Sequence, residues 1–141
     1  MINDGLKMTG AVAIALNGKV VREIPNLVVT AGKGYVASRM KDATATAMSH
    51  MAIGTNNTTA AVGQTALTAE AARGALTSTT VSNNTIAYVE TFAAGTGTGA
   101  IVEAGVFNAS SSGDMLCRTV FAVVNKGSAD AMTITWTITV S

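Results

Sequence analysis

The segment MTITWTITV, residues 132–140, constrains the fold more than any other part of the chain. Apolar and threonine side chains alternate in it without a break, and successive side chains change sides only in a β-strand. We therefore expect the apolar face, with Trp136 as its largest member, to lie in the core. The threonine face is polar but uncharged, so it can meet solvent or a second protein layer at little desolvation cost.

Further strands are predicted from runs of apolar and β-branched residues. They lie near residues 8–16, 19–29, 50–54, 85–93, 99–108 and 114–125. Asn17-Gly18 separates the first two runs, and Asn-Gly in this setting predicts a two-residue hairpin, because both residues tolerate the positive φ of a type I′ turn. Pairing about this turn places Val12 opposite Glu23, an apolar residue against a charged one.

Two short helices are also predicted. Thr30 can cap a helix over residues 31–41, where aromatic and long side chains fall at helical spacing. A second helix of one or two turns is predicted over residues 65–74, in which Glu70 and Arg73 would pair at i,i+3.

Together these elements predict an all-β fold, a jelly-roll-like β-sandwich of about seven or eight strands with one or two short helices. A barrel with the same number of strands remains open, as does the strand order. The 141 residues are enough to bury a core as one domain, so we expect a single domain over residues 1–141. A flexible N-terminal tail is expected at residues 1–7 and an extended loop at residues 55–65, where apolar anchors are few.

Charge and cysteine content argue against several classes of partner. Nine Lys and Arg against eight Asp and Glu residues give a formal net charge of +1, and the basic residues are scattered, so we expect no nucleic-acid partner. The single cysteine cannot form an intramolecular disulfide. The apolar run AVAIAL near the N-terminus is too short for a signal segment or a bilayer span. We therefore expect a protein made in the cytoplasm, with no membrane partner.

The stretch EAGVFNASSSGDMLCRT, residues 103–119, contains the residue types of a small catalytic site. As a hairpin closed symmetrically by its loop, it would place Glu103 opposite Arg118, which predicts a cross-strand ion pair. The same register turns Cys117 toward the apolar face and both charges away from it. A cysteine in that position is usually a small hydrophobe, and as a nucleophile it would need His50, the single histidine, close by. We interpret the stretch as a structural hairpin and predict no catalytic residues.

Two glycine-rich stretches do not match phosphate-binding motifs. AGTGTGA, residues 94–100, lacks the spacing of the dinucleotide fingerprint and precedes a strand, not a helix. VVTAGKGY, residues 28–35, lacks the first glycine and the Ser or Thr of a phosphate loop. One histidine and one cysteine also make no metal-ligand set, so we expect neither a cofactor nor a metal.

From about residue 50 onward the chain resembles the capsid decoration, or cement, proteins of tailed bacteriophages. The resemblance covers about two-thirds of the chain and lies in MAIGTN, TALTAEAARGAL, YVETF, EAGVFNASSSGDMLCRTVF and the threonine-alternating end. It implies a jelly-roll-like β domain on the outer capsid surface of the virion, where it bridges neighbouring subunits of the major capsid protein. A homodimer or homotrimer on the capsid is expected with it.

A cement protein binds many equivalent sites, so each contact can be modest and can be made by arms and edge strands. The candidate capsid contacts lie in the predicted tail and loop, at Ile2, Asn3, Asp4, Asn56, Asn57 and Thr58. Other phage particle components carry related runs, so the alternative is a tail-fibre or collar protein with a structural or receptor-binding role. A cysteine hydrolase that uses Cys117 and His50 is the third class.

Overall fold

Two five-stranded antiparallel sheets, packed face to face, form the fold, which a computed structural model describes over residues 5–141. Strands account for 53% of the chain and a single helix for 9%, which confirms the predicted all-β sandwich. In chain order the elements are β1 Met8–Leu16, β2 Lys19–Pro25, β3 Leu27–Val28, α1 Thr30–Lys41, β4 His50–Gly54, β5 Glu70–Ala75, β6 Ser78–Ser82, β7 Thr85–Phe92, β8 Gly99–Phe107, β9 Met115–Lys126 and β10 Met132–Val140.

Sheet A has the strand order β2-β1-β10-β7-β6, and sheet B has the order β3-β9-β8-β4-β5. The last strand, β10, lies in the middle of sheet A between β1 and β7. Two backbone hydrogen bonds between Lys7 and Ser141, with N···O distances of 2.6 and 2.8 Å, continue the pairing of β1 with β10. The predicted flexible tail included Lys7, which the sheet therefore holds in place. Residues 1–4 of that tail lie outside the described residues.

The core lies between the two sheets and is built from alternate side chains of the strands. Trp136, at the centre of β10, is 0% exposed, and its neighbours across the sheet are Val12 and Tyr88. The other apolar residues of β10 face the same way, as its alternating pattern predicts: Met132, Ile134 and Ile138 are buried.

The β1–β2 hairpin turns at Asn17-Gly18, as predicted, with φ values of 51° and 82°. A β-bulge beyond the turn shifts the pairing by one residue. Val12 consequently lies opposite Ile24, and the predicted pairing with Glu23 is wrong. The extra residue in β2 therefore pairs Val12 with an apolar residue, and it brings Arg22 opposite Ile14.

The predicted helix over residues 65–74 is wrong, because its second half forms strand β5 against β4. Alanine favours a helix only weakly, and tertiary pairing overrides that preference here. A bulge in this pairing nevertheless puts Glu70 and Arg73 on one face, where they form a salt bridge of 2.6 Å. With β3, β5 and β6, the described residues contain ten strands, more than the seven or eight predicted.

The one helix of the described chain, α1, covers the predicted residues 31–41. Its N-cap is Val29, not Thr30, and no side chain caps it. Gly32 packs directly on the backbone carbonyl of Leu116, where a Cβ atom would have no room. This close contact fixes the start of α1 against β9. Over the residues described, no helix is long and apolar enough to cross a membrane.

A third layer covers the outer face of sheet B. Leu67, from the segment between β4 and β5, and Ala31, from α1, pack on Ala52, Phe107 and Met115 in a second, smaller apolar cluster. Within residues 5–141 no comparable cluster is seen on the outer face of sheet A. Helix α1 also reaches the main core between the sheets with Tyr35 and Val36. The outer faces of the two sheets therefore differ in how they are covered.

Candidate functional site

Glu103 and Arg118 form a salt bridge on the outer face of sheet B, with 2.6 Å between Oε2 and Nη2. Both side chains point away from the main core, as predicted, but the face that they occupy is covered, so both are 0% exposed and the charges are buried. The predicted register is also wrong by two residues, since Gly105 lies opposite Arg118 and Glu103 opposite Val120. A shift of two keeps both side chains on one face, and a diagonal pair is still within reach of long side chains.

Two local features explain the register. The loop closes between Asn108 and Asp114, where the Asn108 N–H donates to the Asp114 carbonyl. A bulge then leaves Leu116 without a partner residue in β8. Paired residue numbers, which sum to 221 in the predicted register, therefore sum to 222 at Phe107 and Met115 and to 223 from Val106 and Cys117 as far as Glu103 and Val120. Neither feature can be recognised from the apolar pattern, because bulges leave no mark in it.

The pair is covered by residues 55–69, which we call the cover loop. The Thr55 N–H donates to the Ala69 carbonyl at 3.0 Å and brings the two ends of the loop together, which is the geometry of an Ω-loop. The Ala69 and Thr68 N–H groups donate to the Glu103 carboxylate at 2.9 and 3.3 Å. The cover loop is therefore attached to Glu103 by its own backbone.

Arg118 holds the other side of the cover loop. Its Nη1 donates to the Thr58 carbonyl at 2.8 Å and to the Gln64 side-chain oxygen at 3.1 Å. The Thr30 N–H, at the start of α1, donates to the Val62 carbonyl at 2.8 Å. A guanidinium with several fixed donors is suited to organising a loop in this way.

The structure places the predicted contact residues of the loop at its surface. Asn57 and Thr58 are exposed and Asn56 is half-buried. The Asn56 side-chain oxygen accepts from the Thr58 N–H at 2.8 Å, so this part of the loop forms a local turn. The other predicted contacts, Ile2, Asn3 and Asp4, lie outside the described residues. The cover loop is thus an anchored surface and not a free arm.

An open cleft of about 300 Å³ lies where the cover loop faces the crossover from β2 to β3. Thr59 and Ala60 line one side and Pro25, Asn26 and Leu27 the other. The buried amide of Asn26 packs against Gly10 and lies beside the Cys117 thiol, whereas the Nε of Arg118 at the edge of the cleft has no hydrogen-bond partner. Because Glu103 already neutralises Arg118, the cleft offers no free charge to a ligand.

Cys117 and His50 lie on opposite faces of sheet B. Cys117 is fully buried in the main core, and this burial raises the pKa of its thiol. His50 pairs across the sheet with Phe107 on the outer face, and its Nδ1 lies 2.7 Å from the Ser49 hydroxyl oxygen. The two side chains that a cysteine–histidine site would need are therefore not brought together. Within residues 5–141, no group of three or more His, Cys, Asp and Glu side chains could hold a metal ion.

The outer face of sheet A is the second candidate site, and it is a surface instead of a pocket. By strand alternation it carries the threonines of β10, flanked on one side by alanines of β1 and on the other by Ala87 and Val89 of β7. We call it the Thr/Ala face, and its members are Thr9, Ala11, Ala13, Ala15, Val20, Glu23, Pro25, Ser78, Thr80, Ser82, Thr85, Ala87, Val89, Thr91, Thr133, Thr135, Thr137 and Thr139.

Charge is sparse on the Thr/Ala face, since Glu23 is its charged member and Lys7, which pairs with Ser141 beyond Thr9, lies at its margin. Strand spacing and length give it dimensions of about 20 by 30 Å. A shallow depression of about 430 Å³ lies over β1 and β10, between Glu23 and Thr137. The sequence predicted only the threonines of β10; that alanines and threonines of three other strands join them depends on the strand order.

Comparison with protein-family models, with curated proteins and with solved structures finds no match for this chain.

Proposed function

We propose that this chain is a structural protein of a tailed-phage virion, which binds the outer surface of the capsid and cements neighbouring subunits of the major capsid protein. The resemblance of residues 50–141 to capsid decoration proteins motivates the proposal. The single observation that supports it best in the structure is the Thr/Ala face, a broad, ordered and nearly uncharged surface that no part of the described chain covers.

The chemistry of the Thr/Ala face suits adhesion to another protein. Alanine methyl groups and threonine side chains bury apolar area on contact, and short side chains lose little rotamer entropy when they are immobilised. Threonine hydroxyls can exchange water for hydrogen bonds to the partner. With one charged member, the face avoids the desolvation cost of buried ions.

The cover loop provides a second surface on the opposite side of the sandwich. Asn57 and Thr58 are held in place by the ion pair beneath them, so binding there would not require the loop to become ordered. A protein with two opposite contact surfaces could touch two shell subunits, and many such weak contacts add by avidity.

The jelly-roll-like form of the sandwich belongs to the same proposal. It is supported by the pairing of strands that are far apart in sequence, β1 with β10 and β3 with β9. Assembly on the capsid as a homo-oligomer is likewise proposed.

The test is sedimentation of the purified protein with capsids of the same phage from which the decoration layer has been stripped. A copy number comparable to that of the major capsid protein is expected. A few copies per particle would instead indicate a tail-fibre or collar protein, and no binding would overturn the proposal.

Two variants locate the contact surface. Thr135→Lys places a charge in the middle of the Thr/Ala face and is expected to reduce binding at least tenfold, whereas Thr135→Ser is the matched control. Asn57→Lys tests the cover loop in the same assay. If Asn57→Lys abolishes binding and Thr135→Lys does not, the cover loop is the capsid contact and the assignment to the Thr/Ala face is wrong.

A further inference from the structure

The four edge strands of the two sheets differ in how they are protected from pairing with another chain. Edge strands expose unpaired backbone groups, and natural proteins guard them with charges, prolines, bulges or very short lengths. In sheet A, β2 carries Lys19, Arg22, Glu23 and Pro25 and contains a bulge. In sheet B, β3 has two residues, and β5 contains a bulge and two charged residues.

The fourth edge, β6, has none of these protections. Its five residues, STTVS, are all exposed and include no charge and no proline, and its pairing with β7 is regular throughout. Thr79, Thr80 and Val81 all favour extended structure. Val81 is also 68% exposed, which is unusual for a valine in a sheet, and it lies in a cleft with Ile86 and Val140 beside the Asn83-Asn84 turn.

From this contrast we infer that β6 pairs with β6 of a second copy, in antiparallel orientation about a two-fold axis. Ser82 and Thr85 flank the two-residue turn of the β6–β7 hairpin, so alternation directs the backbone groups of Thr79 and Val81 toward the free edge. With Thr80 on the axis, Thr79 of one copy faces Val81 of the other, and about four backbone hydrogen bonds form.

The identity of the partner follows from self-complementarity. A two-fold axis brings each residue of β6 against a residue of the same strand, and uncharged Ser, Thr and Val side chains meet without repulsion. The pairing also covers part of Val81. At β2, by contrast, Pro25 lacks a backbone N–H and the bulge interrupts the regular row of backbone groups. The regular, uncharged strand β6 can therefore pair with a second copy of itself more readily than β2 can.

The inferred dimer gives the proposed cement function a specific form. The pairing itself does not depend on that function, but its biological role does. Joining two copies along β6 makes sheet A continuous across the axis and doubles the length of the Thr/Ala face. It also selects a dimer over a trimer. Because five paired residues bury less than the roughly 800 Å² per partner of a standard interface, the free dimer is expected to be weak and to gain strength on the shell.

Cysteine cross-linking of the isolated protein tests the geometry without any capsid. Thr80→Cys should form a disulfide-linked dimer on mild oxidation, since facing residues of a non-hydrogen-bonded pair have Cα atoms about 4.5 Å apart, within disulfide range. Val20→Cys, at the exposed edge strand β2, is the matched control and should stay monomeric. The native Cys117 is buried and does not compete.

A charge-swap experiment tests the same axis reversibly. Thr80→Lys and Thr80→Glu should each sediment as monomers across a concentration series, and their equimolar mixture should dimerise more tightly than wild type. Equal cross-linking at positions 80 and 20, no gain in the mixture, or a wild-type trimer would overturn the inference. Because these measurements use no capsid, they fail or succeed independently of capsid binding by the same protein.

Discussion

The Arg118 guanidinium donates to the Glu103 carboxylate at 2.6 Å, beneath a loop whose backbone supplies further hydrogen bonds to both groups. Burial of two charges is costly, and the cost is offset only when hydrogen bonds satisfy the remaining atoms. The cover loop supplies bonds to both carboxylate oxygens and to Nη1 of Arg118, and the Arg118 Nε is left without a partner. The loop and the ion pair therefore depend on each other.

Removal of one partner of this pair should therefore destabilise the fold strongly. Glu103→Gln leaves the Arg118 charge buried without a counter-ion, and we expect a loss of about 3–5 kcal/mol in the free energy of unfolding. Glu70→Gln is the control and should cost clearly less, because the Glu70 side chain is 34% exposed and Arg73 keeps its bonds to the Ala109 and Ser112 carbonyls. Urea denaturation measures both.

A double-mutant cycle separates the interaction energy between Glu103 and Arg118 from the contacts that each residue makes with its surroundings. Combining Glu103→Gln with Arg118→Met removes both charges, so the double variant should be less destabilised than the sum of the single ones. Additive effects would show that the two charges do not interact across the strands.

Gly54 provides a second test of how tightly the cover loop is packed. A Cβ atom at this position would meet the Glu103 carboxylate and the Ala69 carbonyl. We expect Gly54→Ala to cost about 1–3 kcal/mol, as overpacking does. Gly34, in helix α1, has open space around its Cα, and Gly34→Ala should stabilise the protein by up to about 1 kcal/mol. Thermal unfolding that shows equal shifts for both would contradict this packing.

The buried thiol predicts a decrease in stability at alkaline pH. Burial raises the pKa of Cys117, so the folded protein keeps its proton while the unfolded chain loses it above about pH 8.5. The unfolded state then binds fewer protons, and stability should fall by about 1.4 kcal/mol per pH unit above that point. Cys117→Ala should abolish the slope between pH 8.5 and 9.5, because Tyr88, whose pKa burial also raises, contributes only above about pH 10. A slope that persists in the variant would assign it to another group.

Trp136 should be the most costly side chain to truncate in sheet A. Trp136→Ala is expected to lose about 3–5 kcal/mol, since the side chain is fully buried. Trp136→Phe should cost clearly less, because it keeps an aromatic ring and removes an indole N–H that has no hydrogen-bond partner. Unchanged stability of Trp136→Ala in denaturant titrations would mean that the residue does not support the core.

Sequence pattern predicted those parts of the fold in which local chemistry and tertiary structure agree. Strand β10 and the Asn17-Gly18 turn are of this kind, because side-chain alternation and positive φ are local properties. The segment around Glu70 was predicted as a helix because its pairing with β4, which decides its conformation, is distant in sequence.

Prediction of the candidate sites was limited in the same way, by contacts between residues that are distant in sequence. The ion pair was proposed from charge type and approximate register, yet its burial depends on a loop without periodicity, which no pattern could place over Glu103. Prediction of the Thr/Ala face would have required the strand order, since β1 and β7 contribute to this face only because β10 lies between them.

The central position of β10 also affects how the chain can be made. Strands β1 and β2 are synthesised first, but their hairpin joins the rest of sheet A only through β10, near the C-terminal end of the described chain. In a nascent chain on the ribosome, the first hairpin of sheet A therefore stays unpaired until β10 has been synthesised. Non-local pairing of this kind forms slowly. A premature stop before residue 132 would divide sheet A into two unconnected hairpins, so partial chains should be cleared by proteolysis and should not assemble.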